Sequence, residues 1–166
     1  MKFWHTSRCD DSVKDNSFTR RSEDIMEKEN TNWAQSVAGV VIKEGKVLLG
    51  RHTYGSGNGK LIIPGGYLNV GETPEAAMVR EVLEETNVVV EPQKLIGIRF
   101  NDHDWYIIFT AKYISGEAKP GDEENSEVVW MDIMEALSRD DVPDLTKRAI
   151  ESSLAAITSE AGLVQR

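Results

Sequence analysis

The chain has 166 residues, near the usual size of one domain, and a hydrophobic fraction of 40% can support one sizeable core. Its formal net charge of −9 argues against non-specific binding to nucleic acid or anionic membranes, which needs basic surface. A small anionic substrate is not excluded, but it would need local cations, either Lys/Arg or metal ions.

Residues 1–32 are polar, charged and without sustained periodicity; they read as an extension in which Ser22 is a candidate cap for a short helix. From Trp33 the texture changes, and we expect one domain over 33–160 with a tail at 161–166. "SVAGVVI" (36–42), the turn signal Glu44-Gly45 and "KVLLG" form a predicted hairpin. "GSGNGK" (55–60) is a loop, "LIIP" (61–64) a short strand ended by proline, and "GGYLNVG" (65–71) a second loop. A helix follows over about 74–86. Two strands, 88–100 and 105–114, flank the turn "NDHD". An acidic loop (115–127), a strand "VVWMDI" (128–133) and an amphipathic helix at about 143–157 complete the chain. The order predicts a mixed α/β fold in a single domain.

The lone cysteine, Cys9, can make neither an internal disulfide nor a cysteine-based zinc site. No apolar run approaches the roughly 20 residues of a membrane span. "MKFWHTSRCD" lacks the apolar core of a secretory signal, so the cytoplasm is the expected compartment.

The central helix carries an electrostatic cost. Thr73 suits the N-cap, Pro74 the first helical position, Glu75 the first turn and Asn87 the left-handed residue past the end. At 100° per residue, Ala76, Val79 and Leu83 cluster on one side with Val82 at its flank, while Glu81, Glu84 and Glu85 cluster on the other. We therefore expect the acidic side to face out. Like charges at this spacing repel by about 0.2–0.5 kcal/mol per pair. In the last turns the helix dipole disfavours each anion by about 0.3–1 kcal/mol. A hard divalent cation would relieve both, because carboxylate oxygens are the ligands magnesium and manganese prefer. A solvated acidic face is the plainer reading of these residues taken alone.

The surrounding string decides between them. "GYLNVGETPEAAMVREVLEETNV" (66–88) resembles the Nudix box, G-x5-E-x7-R-E-U-x-E-E-x-G-U, in which U is a bulky apolar residue. Gly66, Glu72, Arg80, Glu81, Val82, Glu84, Glu85 and Val88 fall on the pattern; Asn87 replaces the final glycine. The wider resemblance, to MutT-like members, spans about Ser36 to Leu154. It implies a Nudix-type α/β/α sandwich with a mixed sheet.

The resemblance also implies an activity: hydrolysis of a phosphoanhydride in nucleoside diphosphate-linked substrates, with Mg2+ or Mn2+ as cofactor. Carried over, Glu81, Glu84 and Glu85 would bind metal, with the carbonyl of Gly65 as a further ligand. Glu81 or a neighbouring carboxylate would act as base. Glu72 and Arg80 would orient the cluster. The loop before the last strand offers a base or extra ligand from Glu123, Glu124 and Glu127, with Glu124 first and Glu127 second. Arg51 matches a phosphate-contacting arginine, or is an ordinary strand-end arginine. Gly66 and Tyr67 would lie against substrate. His103-Asp104-Trp105 would line a base or ribose pocket, or form a polar turn. Asp144 would contact a base edge, or serve only as an N-cap.

The leading reading is a nucleoside triphosphate pyrophosphohydrolase giving monophosphate and pyrophosphate. An ADP-ribose or dinucleotide pyrophosphatase is the alternative, and a non-catalytic nucleotide sensor is a third. The expected partner is a small nucleotide, with no nucleic acid or membrane, and the protein a monomer or homodimer.

Overall fold

The computed structural model describes residues 34–100 and 104–163, with side chains described as far as Ser159. The expectations for residues 1–32 and for His103 lie outside the described residues.

The predicted hairpin is β1 (Ala34–Lys43) and β2 (Lys46–His52). Lys43 pairs with Lys46, so the turn has two central residues, Glu44 and Gly45, both at positive φ (51° and 76°). That backbone matches the right-handed strand twist, and Gly45 adopts it without steric cost. Then come β3 (Leu61–Ile62), β4 (Gly65–Tyr67) and helix α1 (Pro74–Thr86). Two long strands, β5 (Val88–Phe100) and β6 (Asp104–Gly116), precede β7 (Asn125–Asp132). A short helix α2 (Ile133–Ser138) and the long α3 (Asp144–Leu163) end the described chain.

The sheet runs β3-β2-β1-β6-β5, with β4 also paired to β1 and β7 to β2. β1 and β6 are parallel and the other pairs antiparallel, so the sheet is mixed. Alternate strand residues feed two cores. Val37, Val41 and Leu48 pack with Ala77, Met78 and Val82 of α1. Val40, Val47 and Leu49 pack with Ala136 of α2 and Ala149 and Ile150 of α3. Helices thus cover both faces, giving the expected α/β/α sandwich.

Four local expectations are corrected. Residues 65–67 are a strand, held by register pairs to Ser36, Val37 and Ala38. β7 begins at Asn125, so the end of the expected acidic loop is strand, and α2 was not foreseen. Asp144 is the first residue of α3 rather than its cap, because Lys147 N already bonds Pro143 O (3.0 Å). Finally, α1 is rotated from the expected orientation. Its buried residues are Ala77, Met78, Val82, Glu85 and Thr86, while Leu83 is 44% exposed. Gly39 of β1 fixes this seat: a Cβ there would lie 2.8 Å from Met78 Sδ. Glu85 follows Met78 by seven residues and Val82 by three, so it turns inward with them.

The caps of α1 form as the sequence suggests. Thr73 Oγ1 accepts from Ala76 N (3.3 Å), and Asn87 sits at φ 56°, ψ 24° with its N–H donating to Leu83 O. Asn87→Ala places an ordinary side chain in that left-handed position, and it should cost about 1–2 kcal/mol in a denaturant titration.

Candidate active site

The site forms where the C-terminal half of α1 crosses β4. Gly66 makes the crossing possible: a Cβ there would lie 2.5 Å from the Glu81 carboxyl carbon. Gly65 is tighter still, since its Cβ would strike the Val37 carbonyl of β1. The backbone N–H of Gly65 donates to Glu85 Oε2 (3.3 Å).

Arg80 organises the exposed side. Its Nε and Nη2 fork onto the two oxygens of Glu72, both at 2.9 Å. Nη1 donates to Glu81 Oε1 (2.7 Å) and Glu84 Oε2 (3.0 Å), and Nη2 also reaches the Tyr67 carbonyl (2.9 Å). A planar guanidinium suits such a multi-armed clamp; a lysine would not. The fork from Arg80 and the Asn69 backbone hold the Glu72 carboxyl down at about 2.

The inner carboxylates behave differently. Burial raises Glu81, and Arg80 pulls it back only partly. Glu85 is 2% exposed, and burial pushes it up to about 8 against the Gly65 bond, with Glu81, Asp122 and Glu124 adding repulsion. Two buried or half-buried acids with raised pKa values, beside a charge-dense clamp, make this a candidate functional cluster and not a fully solvated face. Gly66→Ala should push the flexible Glu81 carboxylate aside with the fold intact. The expected readouts are a small change in melting temperature and a loss of about 10–100-fold in magnesium-dependent turnover.

The facing loop brings Glu124. Tyr54 Oη donates to Glu124 Oε2 (2.8 Å), and that bond raises the tyrosine to about 12. Thr53 N and Oγ1 both bind the Glu124 carbonyl (2.9 and 3.1 Å). Sequence reasoning missed Tyr54, whose only signal is an aromatic beside a glycine-rich loop.

Arg51 and Glu127 pair with each other. They are cross-strand partners, joined by Nε to Oε2 at 2.8 Å, and Arg51 Nη1 also binds Asp141 (3.0 Å) and the Gly59 carbonyl (3.0 Å). Arg51 follows Leu49 by two residues, so both belong to the face covered by α3 rather than the face covered by α1. Trp105 packs edge-on against Phe100 (5.2 Å) at the strand ends, Tyr67 is 67% exposed, and Asp144 is exposed at the start of α3.

As a donor set, Gly65, Glu81, Glu84, Glu85 and Glu124 offer only hard oxygens, the chemistry of Mg2+ and Mn2+ rather than of a soft metal. Among the described residues, no group of three or more His, Cys, Asp or Glu is already gathered closely enough to hold a metal ion. The hydrogen bonds explain this: Arg80 engages Glu81 and Glu84, and Tyr54 engages Glu124. The donors fit a hard cation once these side chains turn inward, and Glu85, buried beneath them, is the charge such a cation would neutralise.

Residues 33–151 match the NUDIX domain family. The chain belongs to that family. Among curated relatives, an ADP-ribose pyrophosphatase of Methanocaldococcus jannaschii is 34% identical over 96 residues, covering 54% of this chain and 57% of the relative. A MutT-like protein of Streptomyces ambofaciens is 38% identical over 99 residues, with 58% and 62% covered. An NAD-capped RNA hydrolase NudC of Vibrio cholerae is 32% identical over 126 residues, with 72% and 45% covered. The chain thus spans less than two thirds of each of these relatives. A NUDIX hydrolase structure from Nitrosomonas europaea superposes with a TM-score of 0.66 at 28% identity, covering 73% of this chain and 72% of that one. The NUDIX fold and the box residues therefore coincide on the α1–β4 crossing. No helix among the described residues is long and apolar enough to cross a membrane.

Proposed function

We propose that this protein is a divalent-metal-dependent hydrolase that cleaves a phosphoanhydride in nucleoside diphosphate-linked substrates. Its substrate class in this reading is nucleoside triphosphates, giving monophosphate and pyrophosphate. The observation that carries the reading is the buried Glu85 carboxylate beside Glu81, with Arg80 forked between Glu72, Glu81 and Glu84. Mg2+, or Mn2+ in its place, would be held by Glu81, Glu84, Glu85 and the Gly65 carbonyl. When bound, the cation neutralises phosphate oxygens and acidifies water.

The chain's own residues do the rest. The Glu72–Arg80 fork fixes the direction from which Glu81 and Glu84 approach. Glu124 takes the proton of the attacking water, a role that the Arg51 ion pair leaves Glu127 poorly placed to fill. Tyr54 sets the position of Glu124. Tyr67, 67% exposed beside the clamp, is available to the substrate, as is Gly66. Trp105 offers a stacking face for the base. We assign this catalytic domain to residues 33–160 and place it in the cytoplasm, as a monomer or homodimer.

The 34% identical relative named ADP-ribose pyrophosphatase favours a second reading, hydrolysis of ADP-ribose or a dinucleotide. The relatives named NAD-capped RNA hydrolase point to the same pyrophosphate bond on a capped RNA, against which the net charge of −9 weighs. A panel of nucleoside triphosphates, ADP-ribose, NADH and capped RNA, with magnesium and product identification, separates these readings. Monophosphate plus pyrophosphate from a triphosphate is the expected result. Tight binding of one member without turnover of any would instead identify a nucleotide sensor.

A further inference from the structure

We infer that Asn125 is a positioning residue for the acidic cluster, its side-chain amide completing the hydrogen-bonded shell around the cation held by Glu81, Glu84 and Glu85. The inference rests on the metal-dependent reading above.

Asn125 is 3% exposed, and both its Oδ1 and Nδ2 are buried with no protein partner. Among the described residues, no other side-chain nitrogen or oxygen is in that state. A primary amide brings two donors and two acceptor lone pairs, and buried polar atoms are almost always paired. Two unpaired atoms on one buried side chain therefore call for an explanation.

Its place in the fold supplies one. Asn125 opens β7, directly after Glu124 and in register with His52 of β2, where the ladder shifts at a bulge. Bulges commonly re-aim a side chain beside a functional site. The Asn125 amide lies against Gly50, two residues from Leu48, on the face of β2 that α1 covers through Val82. A Cβ at Gly50 would collide with Asn125 Oδ1 and approach its Cγ to 2.9 Å. Gly50 does not have a positive φ, so the glycine there serves space and not backbone conformation. The strand gives up a side chain to admit a polar group that an apolar residue of similar size could replace. Glu124, its immediate neighbour, is close enough to Glu81 and Glu85 to raise the pKa of both. The amide thus lies on the face of the sheet that α1 covers, one residue along the chain from Glu124, where a partner outside the protein would satisfy it.

The test uses the full chain, Mn2+ as the probe, and the variants Asn125→Leu and Asn125→Ala. Mn2+ binding is followed by the paramagnetic resonance signal of the free ion, and metal-free melting reports the fold. Outer-shell partners of metal ligands typically set affinity by 10–100-fold, so both variants should bind Mn2+ about 10-fold more weakly. Asn125→Leu should melt no lower than wild type, since it removes an unpaired buried amide at similar volume. Should Asn125→Leu fail to fold, Asn125→Ala carries the comparison. Mn2+ affinity within about two-fold of wild type in a folded variant would show a merely structural asparagine and overturn the inference. Wild-type protein that binds no Mn2+ would overturn the metal-dependent reading, and this inference with it.

Discussion

Glu84→Gln combined with Glu85→Gln is expected to lower magnesium-dependent turnover by roughly 10³-fold while the protein stays folded. The two amides keep the shape of the carboxyls but remove two of the hard anionic donors. The clamp survives in part, because Arg80 retains Glu72 and Glu81 after losing the Glu84 ion pair. Glutamine at position 85 can still accept from Gly65 N. Circular dichroism should therefore be unchanged, and the metal-free variant should melt higher than wild type. Turnover near the wild-type rate in a folded double mutant would remove these glutamates from the mechanism.

The second large effect is on stability. In the metal-free protein the Glu85 carboxyl titrates at about 8, against an ordinary 4.5. Between those values the folded chain keeps a proton that the unfolded chain has lost, so stability falls as pH rises through this window. The penalty is absent below about 4.5 and complete above about 8. At pH 7 it is on the order of 3 kcal/mol, or roughly 10 °C in melting temperature for a domain of this size. Burial lowers His52 from its ordinary 6.5, and this gives a slope of opposite sign near and below that value. The measurement is therefore a difference: metal-free wild type minus Glu85→Gln, melted from pH 5 to pH 9. The gap should widen as pH rises to about 8 and level off above it. Magnesium should close it, since binding favours the ionised carboxylate and stabilises the native state by linkage. A gap independent of pH would mean that Glu85 is ionised throughout, and magnesium without effect on melting would count against the metal site.

What was legible in the sequence was mostly local or carried by the box. Thr73 and Asn87 cap α1 through bonds that span a few residues, so their chemistry alone fixes its ends. The Glu44-Gly45 turn is likewise settled within its own hairpin. The Glu72–Arg80 pairing followed from the resemblance and matches the ion pair seen. The larger departures are long-range. Gly65–Tyr67 reads as a loop because pairing with β1 is invisible to a local pattern. The buried face of α1 was misjudged because Gly39 and Met78 decide it, and they are 39 positions apart in the chain. That single rotation turns Glu85 from an exposed charge into a buried acid. The pairing of Arg51 with Glu127 across β2 and β7 is also set by register, and no local pattern announces it. No sequence signal tied Tyr54 to Glu124.

The two glycines at the α1–β4 crossing have one further consequence. Neither has a positive φ, and both lie in a paired strand. Their contribution is missing volume, not pliability. The recess that receives Glu81 is thus set by the spacing between a helix and a strand, both anchored in the sheet, and not by the sampling of a flexible linker. The geometry of the candidate site is inherited from the scaffold.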